Sequence, residues 1–267
     1  MSEAPPLAAR WAELARAGRA ALIPYVTAGY PDLDATAAFL AGARGAGADI
    51  VELGVPWSDP VADGPVIQAS SHGALARGTT LAGVLELLGS AAPGAPPVIL
   101  FSYLNPLLAF GAGRFAAAAR RAGAAGILVV DLPVGADPAI EAELRSAGLP
   151  LVRLVAPTTT AARLALIAAA SEGFVYLVAR LGVTGAGAAP AAELGARVAA
   201  VRAVTPLPVA VGFGIGAPEQ AAAAARLADG VVVGSALVER LGRQGAADAL
   251  GWLGTLRAAM DRPRRAA

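Results

Sequence analysis

The stretch Leu22-Ile-Pro-Tyr-Val-Thr-Ala-Gly-Tyr-Pro31 joins a short β-rich apolar run to a turn. Similar runs recur along the chain, each followed by a turn signal and an Ala- and Leu-rich stretch of helical period, which is typical of repeated βα units. Closed barrels and open doubly wound sheets are both built from such units. The glycine fingerprint of a dinucleotide-binding sheet is absent after the first run, where Val26-Thr-Ala-Gly-Tyr-Pro31 stands instead. The sequence therefore favours the barrel.

Eight such runs occur, which is the strand number of a (β/α)₈ TIM barrel. The gap between the second and third runs is the longest, and it predicts an insertion between strand 2 and its helix, on the C-terminal face of the barrel. We expect an extra N-terminal helix from the amphipathic segment Leu7 to Ala17, and one barrel domain over residues 1–267. The runs begin near Leu22, Ile50, Val98, Gly126, Leu151, Val175, Val209 and Gly230.

Punctuation residues predict where several helices begin. Asp34 is expected to open helix 1 and Thr79-Thr80 to open helix 2. Pro218 is expected in the first turn of helix 7, where its missing N–H costs nothing.

Composition excludes several kinds of site. The chain has no cysteine, so disulfides and thiol nucleophiles are excluded, and its single histidine, His72, cannot form a multi-histidine metal site. The net charge of +1 gives no reason to expect a nucleic acid or an anionic membrane as partner. Prolines and glycines interrupt the uncharged stretch Leu87 to Gly113, and no secretory signal opens the chain, so we expect a cytoplasmic protein.

Three acidic residues near strand 2 are the first candidates for chemistry. Glu52 ends the apolar run that starts at Ile50, where a buried charge needs a reason: a catalytic carboxyl with a raised pKa, or a structural ion pair with an arginine. Asp59 and Asp63 follow in a proline-restrained loop, as functional groups or as simple Asx turns.

Three glycine-rich turns after strands 6, 7 and 8 predict a phosphate site. Barrels commonly bind phosphate there with free backbone N–H groups and a helix N-terminus, and Ser235 is placed to open such a helix. A single Gly-Ser pair by itself is usually only a turn or a cap. The turns contain no basic side chain, so backbone dipoles would hold the anion, with Arg180 just before the first turn. They read Gly182-Val-Thr-Gly-Ala-Gly187, Gly212-Phe-Gly-Ile-Gly216 and Gly234-Ser235.

Taken together, these motifs resemble the tryptophan synthase alpha family from about Leu22 to Met260. The segment Glu52-Leu-Gly-Val-Pro-Trp-Ser-Asp-Pro-Val-Ala-Asp-Gly-Pro65 is the most specific match, and Tyr25-Val-Thr-Ala-Gly29 and the later glycine turns follow in family order. The resemblance implies a lyase that cleaves indole-3-glycerol phosphate to indole and glyceraldehyde 3-phosphate. Glu52 would be the general acid/base and Asp63 would bind the indole nitrogen.

The resemblance also implies the substrate-binding residues. Tyr176 would position the substrate near Glu52, and Thr184 would meet Asp63 when the loop after strand 6 closes. Walls of the indole pocket are expected at Tyr25, Leu100 and Leu128, the last two from strand position as much as motif. The phosphate would be held by Gly185, Gly214, Gly234 and Ser235.

A pyridoxal-phosphate beta subunit is the partner that the resemblance implies, in an alpha2beta2 assembly. Pro56, Asp59, Asn105 and Pro133 match positions used at that interface, and no cofactor of the chain's own is expected. Three alternatives stay open: a stand-alone lyase that releases free indole, a non-catalytic barrel that only activates the beta subunit, and another phosphate-binding barrel such as a phosphosugar isomerase.

Overall fold

The computed structural model describes residues 7–91, 94–178, 191–212 and 214–261. Eight parallel strands close into a barrel in sequence order, with the first strand paired to the last, which confirms the predicted TIM barrel. Every strand begins within one residue of its predicted start. The strands are β1 (Ala21–Thr27), β2 (Val51–Gly54), β3 (Val98–Ser102), β4 (Gly126–Val129), β5 (Leu151–Val155), β6 (Val175–Val178), β7 (Val209–Gly212) and β8 (Gly230–Val233).

Helices surround the barrel and cover its N-terminal end. The predicted extra helix is α1, and the predicted insertion after β2 is a loop followed by helix α3. The last helix bends at Gly245, which has a φ of +82° that favours glycine. The helices are α1 (Leu7–Arg16), α2 (Leu33–Ala43), α3 (Pro65–Ala76), α4 (Leu81–Gly89), α5 (Leu104–Phe110), α6 (Ala112–Arg121), α7 (Pro138–Arg145), α8 (Ala161–Ala170), α9 (Ala191–Arg202), α10 (Pro218–Ala225) and α11 (Ser235–Met260).

Alternation along each strand divides the core into two layers. Side chains such as Leu22 and Val26 pack outward against the helices, whereas Ile23 and Tyr25 point into the barrel. Helix α1 closes the N-terminal end of the barrel, where the Trp11 ring packs against Phe174 with 5.4 Å between centroids. The interior is therefore filled at that end, and open space remains at the C-terminal ends of the strands.

Helix starts follow the sequence signals with one correction. Thr80 caps α4 by accepting a hydrogen bond from the backbone of Gly83, and Pro218 is the first residue of α10. The prediction that Asp34 opens helix 1 is wrong, because the cap is Asp32, whose carboxylate accepts from the Ala35 N–H at 2.7 Å. Asp34 lies inside the first turn, where an acidic side chain interacts favourably with the helix dipole.

No helix among the described residues combines the length and the apolar character that crossing a membrane requires.

Candidate active site

A cavity of about 1170 Å³ opens at the C-terminal ends of the barrel strands. This is the end at which barrel enzymes hold their substrates. Most of the residues singled out from the sequence line this one cavity, although they are far apart in the chain. Those residues are Tyr25, Glu52, Asp63, Pro133, Tyr176, Gly214, Gly234 and Ser235.

Glu52 is the most deeply placed charged residue of the cavity. It lies on β2 directly beside Tyr25 of β1, and it is 1% exposed. Neither carboxyl oxygen has a hydrogen-bond partner, and no arginine in the described ranges pairs with it. Burial therefore raises the pKa of Glu52 to about 8. At neutral pH the Glu52 carboxyl holds a proton that it can donate. The alternative interpretation, a structural ion pair with an arginine, finds no support among the described residues.

Asp63 faces the same cavity from the loop before α3. Burial raises the pKa of Asp63 to about 6, and a hydrogen bond with the Tyr103 side chain opposes part of that rise. Backbone bonds fix the loop on both sides: the Asp63 N–H donates to Pro60 O at 3.0 Å, and Gln68 Nε2 donates to Asp63 O at 2.9 Å. The turn uses the backbone of Asp63, so its carboxylate faces the cavity and bonds with the Tyr103 hydroxyl.

The two carboxyls therefore differ at neutral pH. With pKa values of about 8 and about 6, Glu52 is mainly protonated and Asp63 is mainly ionised. Environments that separate the pKa values of two acids in one site are typical of general acid/base chemistry.

Two tyrosines extend over glycines of neighbouring strands. The Tyr25 hydroxyl of β1 lies above Gly54 of β2, and the Tyr176 hydroxyl of β6 lies above Gly212 of β7. In each case a Cβ on the glycine would approach the hydroxyl to about 2 Å, so only glycine leaves room for the ring. Burial raises the pKa of both phenols, and the nearby Glu52 and Asp63 raise these pKa values further. Both hydroxyls thus keep their protons.

A helix N-terminus also lines the cavity. Helix α11 begins at Ser235, with Gly234 as a cap that contributes no side-chain hydrogen bond. The first N–H groups of a helix have no acceptor within it, so they can bind an anion there. Gly214 is exposed on the same cavity. Thr184 and Gly185, the other residues expected here, lie outside the described residues, as does Arg180.

Two residues expected to line the indole pocket, Leu100 and Leu128, do not line the cavity. Leu100 points outward from β3 and packs between the barrel and the helices, because strand side chains alternate; its neighbour Phe101 lines the cavity instead. Leu128 does face the interior, but it belongs to the filled layer below the cavity, and the next inward residue, Val130, is the one that lines it.

The register between β2 and β3 identifies Phe101 as a residue that points inward. Glu52 pairs with Ile99 and Gly54 with Phe101, so an inward Glu52 requires an inward Phe101. Tyr103 was also missed; its hydroxyl accepts from the Ala62 N–H at 2.9 Å and contacts Asp63. Only the folded loop brings Tyr103 to Asp63, so no sequence pattern indicates that contact.

The residues expected to meet a partner lie at the same end of the barrel. Asp59, Asn105 and Pro133 are exposed, whereas Pro56 is buried within its loop. His72 lies on α3 and is exposed, and its Nε2 is 2.9 Å from Ser58 O, so it braces the loop that contains Asp59.

Comparison with known proteins gives one consistent result. The family model described as tryptophan synthase alpha chain matches residues 11–254. A tryptophan synthase alpha chain of Phenylobacterium zucineum is 51% identical over 236 residues, covering 87% of this chain and 85% of the relative. One from Geobacter sp. is 48% identical over 246 residues, covering 92% of each chain.

Solved structures agree in fold along almost the whole chain. A chain of Mycobacterium tuberculosis tryptophan synthase superposes with a TM-score of 0.90 at 36% identity, covering 98% of this chain and 100% of that one. Tryptophan synthase subunit alpha of Legionella pneumophila gives a TM-score of 0.87 at 34% identity, covering 96% and 98%. The chain therefore belongs to the tryptophan synthase alpha chain family and is a lyase subunit of tryptophan biosynthesis.

Proposed function

We propose that this chain cleaves indole-3-glycerol phosphate to indole and glyceraldehyde 3-phosphate, with Glu52 as general acid/base and Asp63 as the group that binds the indole nitrogen. One observation supports this most strongly. Two carboxyls, buried Glu52 and partly buried Asp63, face a single cavity, and their pKa values of about 8 and 6 leave one protonated and the other ionised at neutral pH. The reaction needs one acid and one anion at these places.

In this mechanism Glu52 donates one proton and takes one back. Glu52 donates its proton to C3 of the indole, and positive charge develops on the ring nitrogen. The Asp63 carboxylate stabilises that charge through the ring N–H. The bond between C3 and the side chain then breaks, its electron pair restores the aromatic ring, and the adjacent hydroxyl becomes the aldehyde by giving its proton to the Glu52 carboxylate. Glu52 ends the cycle protonated, as it began.

The phosphate would be bound at the start of α11. Gly234 and Ser235 supply backbone N–H groups there, and the helix dipole favours an anion at this end. Glu52 and Ser235 line the same cavity, so one substrate can reach both. Tyr25, Phe101 and Tyr176 would enclose the indole ring, and we expect Thr184 and Gly185 to complete the site.

We further propose that the chain acts in the cytoplasm with a beta subunit that contains pyridoxal phosphate, in an alpha2beta2 complex, and that it needs no cofactor of its own. Structures of Mycobacterium tuberculosis tryptophan synthase are among the solved neighbours. Asp59, Asn105 and Pro133, which follow the C-terminal ends of β2, β3 and β4, are exposed and would contact the partner. Pro56 would support their loop from within.

An indole-release assay with and without a beta subunit tests the proposal. We expect slow release by the chain alone and strong activation by the partner. Fast release that the partner does not change would indicate a stand-alone lyase, and activation of the partner without any indole release would indicate a non-catalytic barrel.

The Glu52→Gln variant tests the assigned acid. It keeps the shape of the side chain but cannot exchange a proton, so kcat should fall by about 10²–10⁴-fold while substrate still binds. Glu86→Gln, on the exposed face of α4, is the matched control and should leave kcat unchanged. A Glu52→Gln protein with near wild-type turnover would remove Glu52 from the mechanism.

A further inference from the structure

The Tyr25 hydroxyl has a place that the proposed mechanism does not use. The side chain runs from the α11 side of the cavity to β2: its Cβ lies 3.8 Å from where a Cβ on Gly234 would be, and its hydroxyl lies 2.1 Å from the corresponding point on Gly54. Tyr25 thus spans the space between the proposed phosphate site and the strand that holds Glu52.

The ring has little freedom to leave that place. Phe101 packs edge-on against it, with 5.2 Å between ring centroids and 79° between ring planes. Ile67 of α3 and Val238 of α11 form one buried cluster with the ring. This packing restrains the ring and with it the position of the hydroxyl.

The proton of this hydroxyl lacks a good acceptor among the described residues. Its one contact of hydrogen-bond length is with Thr27 Oγ1 at 3.5 Å, which is at the limit of a hydrogen bond. The short contact of Thr27 Oγ1 is instead with Ser70 Oγ, at 2.7 Å. Ser70 Oγ in turn donates to Ile67 O at 2.8 Å. A buried donor with only so distant an acceptor is poorly satisfied, so a ligand oxygen is the expected stronger partner.

We infer that the Tyr25 hydroxyl donates a hydrogen bond to a hydroxyl oxygen on the glycerol side chain of the substrate, and so positions that chain beside Glu52. This inference rests on the proposed function. Among the parts of the substrate, the indole N–H is itself a donor, and the phosphate belongs to Gly234 and Ser235. The remaining acceptors are the hydroxyl oxygens on the carbon chain between the ring and the phosphate. That chain would run past Tyr25.

The electrostatic surroundings agree with a donor role. Burial raises the pKa of Tyr25, and the nearby Asp63 raises it further, so the phenol stays protonated when the site is active. A phenylalanine at position 25 would keep the packing against Phe101 and lose only the donor.

Binding measurements with two ligands test the inference. The ligands are indole-3-glycerol phosphate and an indolylpropyl phosphate, which has the same skeleton without the hydroxyls. Titration calorimetry would compare Glu52→Gln with Glu52→Gln/Tyr25→Phe, since the first change prevents turnover. We expect the second change to weaken binding of the hydroxylated ligand by about 2- to 12-fold, the usual range for one hydrogen bond, and to leave the other ligand unaffected.

Matched controls separate this result from a packing effect. Tyr30→Phe removes a hydroxyl that lies against Gly242, away from the cavity, and should change neither affinity. Equal weakening for both ligands, or none for either, would overturn the inference. If the wild type released no indole but the ligand-specific loss appeared, the proposed reaction would fail and the Tyr25 contact would stand. Failure of both ligands to bind would overturn both.

Discussion

The hydroxyl oxygen of Tyr176 occupies the space above Gly212, so a Cβ on Gly212 would lie 2.0 Å from it. Real Cβ atoms do not approach so closely, and the ring carbon that bears the hydroxyl, 2.5 Å away, would also have to move. Gly212→Ala should therefore displace Tyr176 from the cavity and lower kcat/KM by about 10-fold or more, since small misplacements in a site are costly. Steady-state indole release measures this.

Gly195→Ala is the control for this prediction. Gly195 lies within α9, where a Cβ would meet only Leu227 at an ordinary 3.7 Å. Alanine there should keep activity and stabilise the helix by about 0.5–1 kcal/mol. If Gly212→Ala were as active as Gly195→Ala, Tyr176 would have no role in holding the substrate.

The pH dependence of kcat/KM should be bell-shaped. Below about pH 6 Asp63 takes up a proton and loses the charge that the ring nitrogen needs, and above about pH 8 Glu52 loses the proton that C3 needs. Phosphate esters also titrate near pH 6, so binding of indolylpropyl phosphate over the same range supplies the correction. A corrected profile that stayed flat from pH 5 to about 9 would contradict the assigned roles.

Charge repulsion tests the phosphate site. Ser235→Asp places a carboxylate at the first residue of α11, where the helix dipole tolerates it but a bound phosphate would be repelled. The KM for indole-3-glycerol phosphate should rise by about 10-fold or more. Ser235→Ala, which removes the hydroxyl without adding charge, should raise the KM much less. Equal effects of the two variants would place the phosphate elsewhere in the cavity.

Sequence patterns predict the barrel well because each strand is short, apolar and followed by its own helix. Glu52 could also be found, since a charge at the end of a buried strand is conspicuous. The residues that line the pocket were harder to predict. Choosing between Leu100 and Phe101 requires knowing which side chains of β3 point inward when Glu52 of β2 points inward. The side-chain direction follows from the register between β2 and β3, which the order of the strands along the chain does not give.

Contacts between distant segments were not predictable at all. Tyr103 meets the Asp63 loop, and Thr27 meets Ser70 of α3, only after the insertion folds over the barrel mouth. The cap of α2 shows the local version of this limit. Asp32 and Asp34 are both good capping residues, and the backbone conformation of Asp32, with a φ of −156° and a ψ of 176°, decides between them.

The stability of the Glu52→Gln variant should depend on pH in a way that reveals the burial of Glu52. The pKa of Glu52 is about 8 in the folded chain against its ordinary 4.5, so between these pH values the folded state holds a proton that the unfolded chain releases. The free energy of unfolding of the wild type therefore falls as pH rises through this window. Glutamine does not titrate, so the variant escapes that loss.

We accordingly expect wild type and Glu52→Gln to melt at similar temperatures near pH 5, and the variant to melt higher at pH 9. The difference in Tm at pH 9 should reach about 2 °C or more, because each change of about 1 kcal/mol in the free energy of unfolding shifts Tm by about 2–4 °C in a domain of this size. Glu86→Gln, at an exposed position, should show no such pH-dependent gap. If Glu52 instead balanced a buried cation, glutamine would leave that charge unpaired and lower stability by about 3–5 kcal/mol. Calorimetry across pH 5 to about 9 separates the two cases, and a Glu52→Gln variant that is less stable at every pH would show that Glu52 has a structural partner.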